Sequence, residues 1–240
     1  MKILITGASR GIGKELVKRY LNKASVVYAV ASDKNRLNEL KKISNKIEII
    51  SLDLSNLDEV RNRFKDIEGL DLLIFNAAIS LPHSSNFPTF DDFKKSFDIN
   101  LLSIHAILES QLPKMQKRKR GKIVFISSLA SIVASPTSIA YSSTKRALNS
   151  YAQSLRNLVK KDNIDVVNIL PGFIKTDMTA KNNFYMPFLM DLDKGVDRIY
   201  NAIETSKKEY AFPKRFYYIL KLFNLLPLNL QDYILQRFVK

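Results

Sequence analysis

Six short apolar runs, Ile3–Ile5, Ser25–Ala31, Ile47–Ser51, Leu72–Phe75, Lys122–Ile126 and Asp165–Leu170, alternate with amphipathic segments such as Lys14–Leu21, Asp33–Lys42 and Tyr141–Lys160. No other feature constrains the fold as tightly. Runs of strand length, most of them rich in Ile and Val, read as strands buried on both faces, and the intervening 3.6-residue periodicity reads as helices. Strand and helix in alternation predict an α/β chain: a doubly wound parallel sheet with helices on both faces. With 240 residues, 46% of them hydrophobic, one such core can be buried in a single domain. Ligands of these sheets bind at the carboxyl ends of the strands, so the residues after each run are the ones to inspect.

After the first run comes TGASRGIG, Thr6 to Gly13. Glycines at Gly7, Gly11 and Gly13 allow a tight turn and a close backbone approach, and free amides at the start of the following helix can face a pyrophosphate. The spacing is G-x-x-x-G-x-G, unlike the general G-x-G-x-x-G fingerprint. The fourth, fifth and sixth runs are followed by Asn76-Ala77-Ala78, Ser127-Ser128 and Pro171-Gly172. Small or polar residues at these strand ends suit a backbone-lined cleft. Thirteen residues beyond Ser128 lies YSSTK, in which Tyr141 and Lys145, four apart, share one face of a helix. A phenol is a poor proton donor at neutral pH, and a neighbouring ammonium stabilises its phenolate, so the pair is a candidate general acid.

The net charge of +15 predicts attraction to something anionic, whether a phosphorylated cofactor, an acidic membrane surface or nucleic acid. Its tightest cluster, Lys114 to Lys122, has no aromatic residues interleaved for base stacking. Gly121 is placed to stop a helix there, so the cluster reads as a basic helix end and no nucleic-acid partner is expected. The absence of cysteine excludes disulfides and thiolate metal sites and is compatible with a reducing compartment. His83 and His105 have no acidic partner at ligand spacing, so no metal is expected. No signal peptide or membrane span is visible in the sequence, and a cytoplasmic location is the expectation.

Taken in order, TGASRGIG, LDLS at 52–55, NAA at 76–78, FDIN at 97–100, ISS at 126–128, YSSTK at 141–145 and PGFIKT at 171–176 resemble the short-chain dehydrogenase/reductase family over roughly residues 1–180. The resemblance implies a Rossmann-like fold, an NAD(P)-dependent oxidoreductase acting on CH–OH or C=O groups, and a homodimer or homotetramer. It implies that Tyr141 is the general acid/base, that Lys145 lowers its pKa and holds the nicotinamide ribose, and that Ser128 hydrogen-bonds the substrate oxygen. Asn100 would anchor a water in a proton relay. For the cofactor, Gly7, Ser9, Arg10, Gly11, Ile12 and Gly13 would frame the pyrophosphate region, and Asp53 with Leu54 would meet the adenine. Asn76, Ala77 and Ala78 would border the riboses, and Pro171, Gly172, Ile174 and Thr176 would lie near the carboxamide. Relatives often have Gly where this chain has Ala78, which adds a methyl group near the nicotinamide ribose.

The second run ends at Ala31-Ser32, without the acid that NAD-specific relatives place there, and Arg10 is a cation placed as in relatives that prefer NADP, where an arginine can pair with the 2′-phosphate. NADP is therefore expected over NAD, with Asp33 as the residue that could reverse the preference. Residues 181–240 are expected to form the substrate pocket, its lid and basic amphipathic helices of the same domain. The stretch Phe184 to Met190 predicts a hydrophobic carbonyl or alcohol substrate. Phe212 to Lys240 reads as two short helices broken at Pro227, with Phe216, Ile219, Leu220 and Phe223 at helical spacing and Asp232 as the single acid. Such a segment suits a peripheral membrane contact or packing on protein. The alternative to an enzyme is a dinucleotide-binding regulator or membrane-surface scaffold on the same fold.

Overall fold

The computed structural model describes residues 1–81 and 87–237; His83 and residues 238–240 lie outside these. Strands β1 (Lys2–Thr6), β2 (Val26–Ala31), β3 (Ile47–Ser51), β4 (Leu70–Phe75), β5 (Gly121–Ile126), β6 (Ile164–Pro171) and β7 (Glu209–Phe212) form one parallel sheet in the order β3-β2-β1-β4-β5-β6-β7. The chain winds outward from β1 to β3, returns to β4 beside β1, and winds outward again. The reversal between β1 and β4 opens a crevice above the carboxyl ends of the central strands.

Because side chains alternate across a strand, each strand feeds two cores. Ile3 and Ile5 of β1 and Val124 and Ile126 of β5 pack under α1 (Gly11–Tyr20), α2 (Lys34–Lys41) and α7 (Leu192–Glu204). Leu4, Ile123 and Phe125 pack on the other face beneath α3 (Leu57–Arg63), α5 (Ser103–Arg118) and α6 (Ile139–Leu158). Helix α4 (Phe90–Phe97) runs through a π-helical turn, Asp98–Leu102, into α5. Five of the six apolar runs of the sequence lie within strands, and the sixth, Ser25–Ala31, does so from Val26 onward. The seventh strand, β7, comes from the C-terminal region, and its register Asn168↔Glu209 to Pro171↔Phe212 ties that region to the sheet. At four residues, Glu-Tyr-Ala-Phe is too short for a period to register.

The basic cluster at the end of α5 departs from expectation in its stop signal. Lys119 takes the left-handed conformation at φ 47°, while Gly121 already belongs to β5. A β-carbon at Gly121 would lie 2.8 Å from the Met115 sulfur, so the glycine serves packing. Several basic residues here bind backbone. Lys114 donates to the carbonyls of Lys65 and Ile67, Arg118 to Leu70 and Lys2 to Glu68.

Beyond β7 come α8 (Lys214–Phe223) and α9 (Leu228–Arg237), separated at Pro227. Phe216, Tyr217 and Leu220 of α8 pack on Leu129, Ile132 and Leu170. Ile219, grouped with them by sequence, faces outward and is exposed. Phe212, assigned by sequence to the first of these helices, is the last residue of β7.

Candidate active site

The turn between β1 and α1 is held against the end of β4. Thr6 Oγ1 accepts the amides of Asn76 and Ala77 at 3.1 and 3.0 Å, and Asn76 Nδ2 donates to the carbonyls of Thr6 and Gly7. Gly7 and Gly11 adopt φ of 66° and 52°, which favour glycine. A β-carbon at Gly7 would lie 2.8 Å from Ala77 Cα, and one at Gly13 would collide with the Gly7 carbonyl oxygen. The first turn of α1 carries no acidic residue, and Arg10 before it makes no side-chain cap. Its leading amides thus face the crevice as a site for an anion, and the glycines leave room for one to approach. The residues present fit a dinucleotide's pyrophosphate.

Across the crevice, α6 carries the YSSTK sequence. Tyr141 is half-buried on the cleft wall, and Lys145, 2% exposed, donates from Nζ to the Ile126 carbonyl at 2.9 Å. Nζ lies 5.7 Å from the Tyr141 ring centroid. Burial pushes the phenol of Tyr141 up, and its hydrogen bond with Ser128 pulls it the other way. Burial pushes the Lys145 ammonium down from 10.5 to about 7. Burial of the phenol itself outweighs the Ser128 hydrogen bond, so Tyr141 stands above its ordinary value here, opposite in direction to the depression expected from Lys145.

Ser128 caps a short 3₁₀ turn, accepting the amide of Ala130 at 3.1 Å. A buried polar network stands behind it. Asn149 accepts from Ser127 Oγ at 2.6 Å and from Asn168 Nδ2 at 3.0 Å, and donates to Ser131 Oγ, which in turn donates to the Ser128 carbonyl. Asn100 is fully buried in the π-helical turn. Its Oδ1 accepts the Ile79 amide at 2.8 Å, and its Nδ2 donates to the Ile79 carbonyl and to Thr144 Oγ1. Thus Asn100 ties the loop after β4 to α6 at Thr144, the residue immediately before Lys145.

The opposite end of the crevice is wet and charged. Asp177, in the loop after β6, pairs with Arg36 Nη1 at 2.9 Å and with Arg10 Nη1 at 3.7 Å, all three side chains being about half exposed. These arginines hold the Asp177 carboxyl below its usual range, the Arg36 hydrogen bond being the main cause. β2 ends at Ala31, and Asp33 is the N-cap of α2, accepting the Arg36 amide at 3.0 Å. Asp53 Oδ1 accepts both the amide and the hydroxyl of Ser55, chiefly the amide holding its carboxyl low. Thr176 receives the Thr179 hydroxyl at its carbonyl in the loop beyond β6.

One cleft is lined by Gly7, Ser9, Arg10, Gly11, Ile12, Ser32, Asp53, Leu54, Asn76, Ala77, Ala78, Ser128, Tyr141, Lys145, Pro171, Gly172, Ile174 and Thr176. Gly13 and Asn100 stand one layer behind its wall, where Gly13 allows α1 to approach the turn and Asn100 braces the loop. Ala78 is not among the residues with positive φ, so the position needs no glycine in this backbone. Sequence reasoning missed Asp177, Arg36 and Asn149. Asn149 follows Lys145 by four residues on one helical face, a signal that could have been read. Asp177 and Arg36 are 141 positions apart and meet only in the folded chain. His105 contacts Tyr151 through Nδ1 at 3.0 Å.

A doubly wound sheet with a glycine turn, an uncapped helix start and a Ser-Tyr-Lys wall defines a dinucleotide-binding oxidoreductase architecture. The sequence signature described as short chain dehydrogenase matches residues 1–185, and the chain belongs to that family, whose members are NAD(P)-dependent oxidoreductases acting on CH–OH and C=O groups. An uncharacterized oxidoreductase of Myxococcus xanthus is 30% identical over 240 residues, covering 95% of this chain and 94% of the relative. A 3-oxoacyl-(acyl-carrier-protein) reductase of Rickettsia typhi is 34% identical over 181 residues, 75% of each chain. A short-chain dehydrogenase from Sphingobium yanoikuyae in complex with NADPH superposes with TM-score 0.80 at 24% identity, over 88% of this chain and 87% of its own. A 4-hydroxyisoleucine dehydrogenase complexed with NADH and succinate gives TM-score 0.77 at 28% identity, over 87% and 96%.

Proposed function

We propose that the protein transfers a hydride between NADP(H) and the carbonyl or alcohol group of a small hydrophobic substrate. The observation that carries this reading is the convergence of Ser128, Tyr141 and Lys145 on one wall of the cleft, facing the glycine turn. The nicotinamide, when bound, supplies or accepts the hydride. Tyr141 gives its hydroxyl proton to the carbonyl oxygen in reduction and takes it back in oxidation. Ser128 donates a hydrogen bond to the same oxygen as negative charge grows there. Lys145 would hold the ribose hydroxyls, and Asn100 with Asn149 position the loop and the serine. Gly7, Gly11 and the amides of α1 would carry the pyrophosphate, with Asp53 at the adenine and Ile174 and Thr176 at the carboxamide.

NADP is preferred in this reading because β2 ends without an acid, Asp33 is turned into the start of α2, and Arg10 and Arg36 stand together at the cleft's exposed end. The hydrophobic substrate is supported by the aromatic contacts of the loop beyond β6, where the rings of Phe173 and Phe184 are 6.0 Å apart. Residues 1–180 act as the cofactor and catalytic core, and residues 181–240 complete the pocket within the same domain. A homodimer or homotetramer through α6 is part of the proposal, checked by light scattering, and a monomer would remove it. The decisive experiment measures oxidation of NADPH and of NADH against a panel of hydrophobic aldehydes, ketones and quinones, with wild type beside Tyr141→Phe. Turnover that prefers NADPH and collapses in the variant is expected. Turnover unchanged in the variant would overturn the assignment of the acid.

A further inference from the structure

After β7 the chain leaves the sheet at the wall of the cleft and, among the described residues, does not return. The Gly172 amide donates to the Phe212 carbonyl at 2.7 Å, and a β-carbon at Gly172 would lie 3.0 Å from Pro213, the residue before α8. From there α8 presents one face inward, through Phe216, Tyr217 and Leu220. The other face of α8, the turn after it and the start of α9 carry apolar side chains that none of the described residues covers: Leu222 is 64% exposed, Leu225 in the turn 80% and Leu228, at the start of α9, 74%. Tyr218 and Tyr233 are also more than half exposed. Isolated exposed leucines are ordinary, but so many on two consecutive helices form a patch that water disfavours.

The inward face of α8 meets an aromatic loop beyond β6, whose residues Gly172 and Ile174 line the cleft. Phe216 of α8 stacks on Phe173 at 6.1 Å and meets Phe188 at 5.8 Å, and Phe173 meets Phe184. Phe184 and Phe188 are themselves exposed. The charges around the patch have one sign. Lys214, Arg215, Lys221 and Arg237 are exposed and, among the described residues, pair with no acid, while Asp232 is the only acid of the two helices. An isologous contact would bring these cations against their own copies, so the charge pattern opposes self-association and complements an anionic surface. Apolar side chains interleaved with cations on a short helix pair are the two signals that reversible binding to an anionic bilayer needs. No helix among the described residues is long and apolar enough to cross a membrane.

We propose that α8 and α9, with the aromatic loop around Phe184 and Phe188, lie on an anionic bilayer surface and turn the mouth of the cleft toward it. The substrate class is then a carbonyl or alcohol that partitions into lipid, a part of the proposal that rests on the hydride-transfer reading above.

The test is co-sedimentation of the full chain with phosphatidylglycerol–phosphatidylcholine vesicles and with pure phosphatidylcholine vesicles. Wild type is expected to sediment with the anionic vesicles and to be released by salt. The combined variant Leu222→Asn, Leu225→Asn, Leu228→Asn alters only exposed positions and should lose about tenfold or more of this partitioning. Replacing Lys214 and Lys221 by Gln should cost about fivefold for each cation removed. Failure of wild type to sediment with anionic vesicles, or unchanged sedimentation of the leucine variant, overturns the docking. So does light scattering that finds a dimer dissolved by the leucine variant without vesicle binding, which would assign the face to a second copy. In the activity arm, the leucine variant should turn over a water-soluble short aldehyde as wild type does and lose rate on a long-chain aldehyde carried in anionic vesicles. Equal rates on the vesicle-borne aldehyde overturn the substrate class. Vesicle binding without turnover of either aldehyde counts against the hydride-transfer reading while supporting the docking.

Discussion

The two ends of the cleft are built on opposite principles. At the catalytic end, buried Lys145 and Asn100 and half-buried Asn149 are committed: Lys145 to the Ile126 carbonyl, Asn100 to Ile79 and Thr144, Asn149 to Ser127, Ser131 and Asn168. At the exposed end Arg10, Arg36 and Asp177 pair in solvent. Buried polar groups carry large consequences, because removing one leaves its partners unsatisfied in a low dielectric. Exposed ion pairs are screened and exchange partners at small cost. The dry end is thus suited to fixing the reacting atoms, and the wet end to choosing between cofactors that differ by one phosphate.

The contrast can be broken most sharply at Ser128. Ser128→Ala should lower kcat by about 10²–10³-fold with little change in cofactor affinity, as for loss of a donor to a developing oxyanion. Steady-state rates beside a cofactor titration check this, and a loss under about tenfold would mean that the dry end does not stabilise the oxygen. Lys145 offers a second test, through pH. In the folded chain its ammonium titrates near pH 7 against 10.5 ordinarily. Between those values the unfolded chain binds more protons, so the stability of the cofactor-free protein should rise with pH. Lys145 can contribute no more than about 1.4 kcal/mol per pH unit to that rise. Below pH 7 both states are charged and the full penalty of burial is present. Denaturant titrations at a series of pH values should find this rise in wild type and not in Lys145→Met; parallel curves for the two would remove the buried cation as its source.

At the wet end the expected effects are smaller. Arg36→Gln should reduce kcat/KM with NADPH by about tenfold and leave NADH unaffected, since one screened charge-assisted contact to a phosphate is lost. Equal losses with both cofactors would place Arg36 outside 2′-phosphate recognition. Smallest of all, Asp177→Asn should change stability by less than about 1 kcal/mol. By freeing two arginines it should raise NADPH affinity severalfold in an equilibrium titration, and weaker NADPH binding would mean that the carboxylate orients the arginines instead of competing for them.

Much of this architecture can be read along the chain because its signals are local. Six strands declare themselves as apolar runs, and the residues that follow them line a common cleft because parallel strands all end on the same side. Tyr141 and Lys145 share a face because helical geometry requires it. What escaped depends on tertiary approach. β7 is four residues long and becomes a strand by pairing with β6. The Arg36–Asp177 pair joins α2 to the loop beyond β6. Gly121 resembles a helix stop, yet the close approach of Met115 needs the glycine in the strand and leaves Lys119 to take the left-handed turn. Local propensity named the correct neighbourhood and the wrong residue. The depressed pKa of Lys145 is likewise a property of burial, invisible in the spacing that singled the residue out.

The stapling of Lys2, Lys114 and Arg118 to backbone carbonyls bears on how the surplus of positive charge behaves in solution. These side chains still add to the long-range potential, but a phosphate could engage them only by displacing carbonyls already in place. Attraction of that kind hastens encounter without prolonging contact. For an anionic dinucleotide, these three side chains should therefore make the capture rate fall with ionic strength while adding little to the residence time.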